Sequence, residues 1–185
     1  MNKDQERSFI ARLYCHGKKL SFFETSTPAT LLTTEEVIGR RVAYHPYRNE
    51  WIPTGQAEIK SSILVHFHCY DDYYNLQILS KDNKYISKDE HGFLGAFPAA
   101  GGNTTSFNLL DSHYGIVTLD DFGSSNMNIY LKARHSRIIR QSIWEGERNK
   151  YHCFTGETGD ISIFNLEILE RSVVTPRDLA SYGEH

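Results

Sequence analysis

A short phrase, Phe-Asn-Leu, occurs twice in this chain, within Ser106-Phe107-Asn108-Leu109 and within Ile163-Phe164-Asn165-Leu166. Each copy stands near the end of a block of short strand-like segments, and Val65-His66-Phe67 is a weaker third echo. Recurrence of this kind points to a fold assembled from copies of one small unit that cannot bury its apolar face alone. Three such copies must then share one core.

The 185 residues suit a single domain. A chain of this size buries roughly 70% of its unfolded surface, so no cross-links are needed. Apolar residues make up 39% and aromatics 12%, which excludes disorder. Eleven Tyr and ten Phe against two Met favour strands.

The blocks follow one order. Phe9 to Tyr14 alternates as a strand, His16-Gly17-Lys18-Lys19 turns, and Leu20 to Phe23 returns, which reads as a hairpin. Residues 24–60 are irregular, with Thr34 capping a short helical turn over Glu35 to Ile38. Ile63 to Tyr70 is a dense apolar strand. In the middle block Leu76-Gln77-Ile78, Lys84-Tyr85-Ile86-Ser87 and Phe93 to Phe97 are strands, separated by turns at Ser80 to Asn83 and Asp89 to Gly92, and Phe107-Asn108-Leu109 closes the unit. The third block repeats this with Val117-Thr118-Leu119, a turn at Asp120 to Ser125, Ile129 to Lys132, a turn at Arg134 to Arg137, and Ile138-Ile139. Loops around Glu145 and Gly156 follow, and then Phe164-Asn165-Leu166. The units run over 8–71, 72–113 and 114–170. The polar residues 1–7 are expected to fray. In the tail, 171–185, Thr175 and Pro176 offer the cap and first position of a short helix.

Three units of about four strands, about twelve in all, close on themselves most simply as a small barrel capped by hairpins, which removes exposed edges. The order of strand, turn, Lys84-Tyr85-Ile86 or Ile129-Tyr130-Leu131, turn, Phe93-Leu94 or Ile138-Ile139, loop, and Phe-Asn-Leu resembles the fascin-like branch of the β-trefoil superfamily. The resemblance covers residues 8–170 and is clearest over 72–170. It implies an all-β domain with pseudo-threefold symmetry. The Gln-x-Trp signature of ricin-type lectins is absent, since neither Trp51 nor Trp144 follows a Gln at that spacing.

Net charge is -3 with no block of either sign, so no nucleic-acid partner is expected, because that needs a basic stripe. Nine histidines would carry the formal charge from -3 to +6 on full protonation, -3 plus 9, which allows pH sensing. His91, His113 and His135 lie in or beside expected turns. The odd, widely spaced Cys15, Cys69 and Cys153 form neither a disulfide framework nor a metal motif. With no apolar leader at the N-terminus and no run of 18 apolar residues, the expectation is a cytoplasmic chain without a membrane span.

His66 and His68 are the sharpest metal candidates, because residues i and i+2 of a strand point to one side. Val65 and Phe67 belong to the core, however, which turns both histidines outward to solvent. The adjacent pairs Cys15-His16 and His152-Cys153 point to opposite faces, which defeats a nucleophile and base. Asp71-Asp72, Asp120-Asp121 and Glu145 with Glu147 offer paired carboxylates but read first as turn residues. Gly101-Gly102-Asn103 lacks the Lys-Ser/Thr and helix of a phosphate cradle. Loop aromatics are the better clue, since Trp and Tyr faces stack on sugars and anchor protein partners.

The expectation is therefore a non-catalytic binding module without a cofactor. Its leading ligand is carbohydrate, held by Trp51, Tyr47, Trp144, Tyr151 and His135. The alternative is a fascin-like module for actin or another protein, using a basic face with Lys18, Lys19, Arg40 and Arg41. A metal-dependent enzyme centred on His66 and His68 stands third.

Overall fold

Alternation builds the first strand, β1 (Phe9–Cys15): Phe9, Ala11, Leu13 and Cys15 are fully buried, while Arg12 and Tyr14 lie on the other face. The computed structural model describes residues 2–24, 30–34, 42–45, 50–53, 62–79, 84–99, 104–145 and 150–176; for 24, 42–45 and 50–53 it gives the strand alone. After β1 come β2 (Lys18–Glu24), β3 (Thr30–Thr34), β4 (Val42–His45), β5 (Glu50–Pro53), β6 (Ile63–Tyr70), β7 (Tyr73–Ile78), β8 (Lys84–Lys88) and β9 (Leu94–Pro98). Then follow β10 (Ser106–Leu110), β11 (Ile116–Val117), β12 (Asn126–Ala133), β13 (Arg140–Glu145), β14 (Lys150–Thr155), β15 (Asp160–Ile161) and β16 (Phe164–Arg171). The described residues are all-β apart from one short helix and a 3-10 turn, and every strand pairing among them is antiparallel.

Eleven strands form one large sheet. Within it, pairing passes from β1 to β6, β7, β10, β12 and β16, and β16 pairs back with β1. Besides β4–β5, which forms a separate two-stranded sheet, three antiparallel hairpins, β2–β3, β8–β9 and β13–β14, stand outside this cycle. The first two belong to the same sheet, bridged at Leu31↔Gly95, and the third forms its own small sheet with β15.

The core fills the inner face of the cycle. Phe9 stacks on Phe67 at 4.5 Å between ring centroids and meets Tyr74 and Phe122 edge-on at 5.6 and 6.1 Å. Each buried ring of this kind contributes roughly 1.5–3 kcal/mol. The Tyr74 hydroxyl accepts from Leu119 N at 3.1 Å, so the buried phenol is not left unpaired. Phe107, Leu109, Phe164 and Leu166 of the repeated phrase are all buried. Its asparagines work alike. Asn108 Nδ2 donates to Asp72 O in the β6–β7 turn (2.8 Å), and Asn165 Oδ1 accepts from Gly17 N in the β1–β2 turn (2.7 Å). The phrase thus packs one side of a strand and ties the other to a neighbouring turn.

Several local expectations are corrected. Residues 3–7 are not frayed but form a helix, α1 (Lys3–Arg7), with Asn2 Oδ1 accepting from Gln5 N and Gln5 Oε1 accepting from Asn2 N. Arg7 Nε donates to Asp120 Oδ2 at 2.6 Å, Asp4 Oδ1 accepts from Asp71 N, and Ser8 Oγ accepts from Cys69 N, which fasten this end to the sheet. The expected strand over 117–119 stops at Val117, because Asp121 Oδ2 accepts from Thr118 N at 2.8 Å and winds Leu119–Asp121 into a 3-10 turn. Thr175 and Pro176 are not helical, the rest of that expected helix lies outside the described residues, and so do Glu35 to Ile38, Ser80 to Asn83 and Gly101 to Asn103.

Candidate functional site

Two rows of side chains cross the outward face where β1, β16 and β12 lie side by side. One runs Tyr14↔Asn165↔Asn128 and the other Arg12↔Glu167↔Asn126. Outward placement follows from the buried Leu13, Leu166 and Ile129 that alternate with them. All members of the two rows but Arg12, together with Gly17, Met127 and Leu166, border a shallow groove of about 590 Å³.

Its polar groups are held in place. Glu167 accepts from Arg12 Nη1 and from the Tyr14 hydroxyl, each at 3.2 Å. The Arg12–Glu167 side chains are 20% and 40% exposed, so this pair adds about 0–1 kcal/mol to stability and acts mainly to orient the carboxylate. Asn165 Nδ2 donates to Asn128 Oδ1 at 2.6 Å, while its own Oδ1 takes the Gly17 amide. The Nδ2 of Asn128 and the side-chain amide of Asn126 make no hydrogen bond among the described residues. The groove therefore presents open amide donors and acceptors, one fixed carboxylate and one tyrosine. That set suits a ligand rich in hydroxyls, since an amide both donates to and accepts from O–H groups and a carboxylate accepts from them. Glycoside cleavage of the usual kind takes two carboxyl groups, and the groove lining holds one.

The residues singled out from sequence lie elsewhere. Trp144 and Tyr151 are cross-strand partners in β13 and β14 and pack on Phe23, with Tyr151 stacked at 4.2 Å and Trp144 tilted at 5.5 Å. Their rings fasten this hairpin to β2, and both are half-buried. Trp51 stands in β5 with its side chain outside the described residues, and Tyr47 lies outside them altogether. His135 is exposed in the turn after β12, at φ 59°. None of these described side chains lines the groove. Of the basic set, Lys18 and Lys19 open β2, while Arg40 and Arg41 lie outside the described residues.

His66 and His68 do share the outer face of β6, but the expectation of two solvent-facing rings is corrected. His66 is buried, at 2% exposure, beneath the segment after β16, and its Nε2 donates to Val173 O at 3.0 Å. That fixes the neutral tautomer and leaves Nδ1 without a bond; Gln77 stands across the strand pair. Burial pushes the His66 pKa down, and burial together with His66 pushes His68 down. Their rings stack at 5.5 Å, and no cluster of three or more His, Cys, Asp or Glu suited to a metal occurs among the described residues. Burial also raises the thiols of Cys15, Cys69 and Cys153, to about 12, 11 and 11. Of the carboxylates, Asp120 pairs with Arg7, Asp121 holds Thr118, and Glu145 pairs with Lys150 at 2.7 Å.

The groove residues carried one signal that sequence reading passed over. Asn is depleted in strands, yet Asn126-Met127-Asn128-Ile129 alternates with asparagine outward. Comparison with family models, with curated proteins and with solved structures gave no match to this chain.

Proposed function

We propose that the chain is a non-catalytic carbohydrate-binding module on a β-trefoil scaffold of the fascin-like branch. The scaffold reading is supported by the six-strand cycle of pairings accompanied by the outlying hairpins β2–β3, β8–β9 and β13–β14, with β4–β5 as an additional pair, and by the repeated Phe-Asn-Leu on β10 and β16. In this reading the cycle is the barrel and β2–β3, β8–β9 and β13–β14 are its caps. Fold alone does not fix function, so the binding reading rests on the site.

One observation carries it: a shallow groove in which Tyr14, Glu167, Asn165 and Asn128 are already oriented by their own hydrogen bonds, with the Asn126 amide open beside them. Sugars are recognised by planar polar groups that bond hydroxyls in pairs, and preorganisation lowers the entropic cost of doing so. A glycan-array screen of the full chain tests the reading. A defined sugar hit is expected, with Asn128→Ala weakening it about tenfold through loss of one or two hydrogen bonds. An array without hits removes carbohydrate as the ligand and turns attention to protein partners, actin first by co-sedimentation.

A further inference from the structure

The outward face of β12 continues past the groove. After Asn126 and Asn128 the next outward residue is Tyr130, and its ring lies 5.0 Å from that of Tyr114, tilted by 42°. Tyr114 is 50% exposed and sits at φ 62°, a left-handed backbone that a bulky aromatic seldom adopts. Strain of this sort collects at ligand-contacting positions. The turn that carries it is tightly made. Asp111 Oδ1 accepts from His113 N and Gly115 N at 2.9 and 2.8 Å, and Asp111 O accepts from Tyr114 N at 3.0 Å. Beside it Ile116, paired with Leu110, is 51% exposed. An apolar aromatic step is thus held next to a polar groove on one strand face.

We infer that this face takes an oligosaccharide of two or more units, one in the groove and the next against Tyr130 and Tyr114. Two residues along a strand advance about 7 Å, the scale of one hexose unit. The aromatic step supplies a ring face for the apolar side of the second sugar. Glu167 is the one charged side chain in the groove lining and Arg12 offsets it from beside the groove, so the unit bound there is uncharged; Lys132 comes beyond Tyr130 on the same face. This rests on the carbohydrate reading and extends it.

The test is calorimetric titration of the full chain with gluco-, manno-, xylo- and chito-oligosaccharides of one to five units, repeated with Tyr114→Gly and Asn128→Ala. Glycine retains the left-handed backbone and removes only the ring. For the series that binds, affinity is expected to rise about tenfold from one unit to two. Tyr114→Gly abolishes that rise while leaving the single-unit affinity unchanged, and Asn128→Ala lowers affinity at every length. Affinity indifferent to length, or a rise that survives in Tyr114→Gly, overturns the extended site but leaves the groove. Loss in Tyr114→Gly with no effect of Asn128→Ala overturns the groove and with it this inference, as does binding to none of the four series.

Discussion

His66 is the residue whose burial has the clearest thermodynamic reading. Unfolded, a histidine titrates near pH 6.5; in the fold, burial lowers its pKa, and the Val173 carbonyl offsets this only in part. His68 is lowered as well, with the Asp4 carboxylate acting in the opposite sense. The unfolded chain therefore binds more protons below about pH 6.5, and the stability supplied by these neutral rings is lost as pH falls through that value. Urea midpoints of the full chain should fall between pH 7.5 and 5.5, and His66→Gln should flatten the slope. The thiols give a second residue-level prediction. With Cys15, Cys69 and Cys153 buried and raised in pKa, a thiol reagent at pH 8 should label none of them until denaturant is added. Alternation assigned His66 to the outer face correctly. That a segment more than 100 residues later would cover it leaves no local trace in the sequence.

The β13–β14 hairpin shows how an element is held by what it rests on. Phe23 meets both Tyr151 and Trp144, so Phe23→Ala should cost about 3–5 kcal/mol and quench the packing of the hairpin, read by thermal melting and by Trp fluorescence. At the hairpin's far side Gly159 stands at φ 99°, and a Cβ there would collide with the Gln141 carbonyl. Gly17, at φ 73°, has open space instead. Gly159→Ala should lower the melting temperature clearly more than Gly17→Ala. Neither strand of this hairpin was legible, because Arg140–Glu145 lacks alternating burial and exposes Ile143 rather than hiding it. Helix α1 was missed for a different reason. Five residues are too few for periodicity, and only the Asn2-x-x-Gln5 spacing announced it. By contrast β8, β9, β10, β12 and β16 stand where the sequence pattern put strands; in the last three the buried pairs Phe107 and Leu109, Ile129 and Leu131, and Phe164 and Leu166 alternate as a strand requires.

At the scale of the molecule, the groove and the core have the same origin. Both need strands distant in sequence to adjoin: the core fills the whole cycle, and the groove forms where β1 and β12 meet β16, so Tyr14 and Glu167 become neighbours across 153 residues. Short-range pattern reads strands and turns but cannot report which distant strands will adjoin, and this is why the asparagines of the groove looked unremarkable in sequence. Because so many pairings are distant, refolding should be slow, on the order of milliseconds to seconds. Removing residues 164–171 should abolish cooperative unfolding by circular dichroism, since β1 and β12 both lose a partner.

The position of β1 has a consequence for biosynthesis. It pairs with β2, β6 and β16, the next strand to be made after it, a later one and the last among the described residues. At 5–20 residues per second, roughly 8 to 30 s separate its emergence from the ribosome from that of β16. Throughout that interval a strand bearing Phe9, Ile10 and Leu13 presents an unfilled edge, open to a chaperone or to the same strand on the next nascent chain of a polysome.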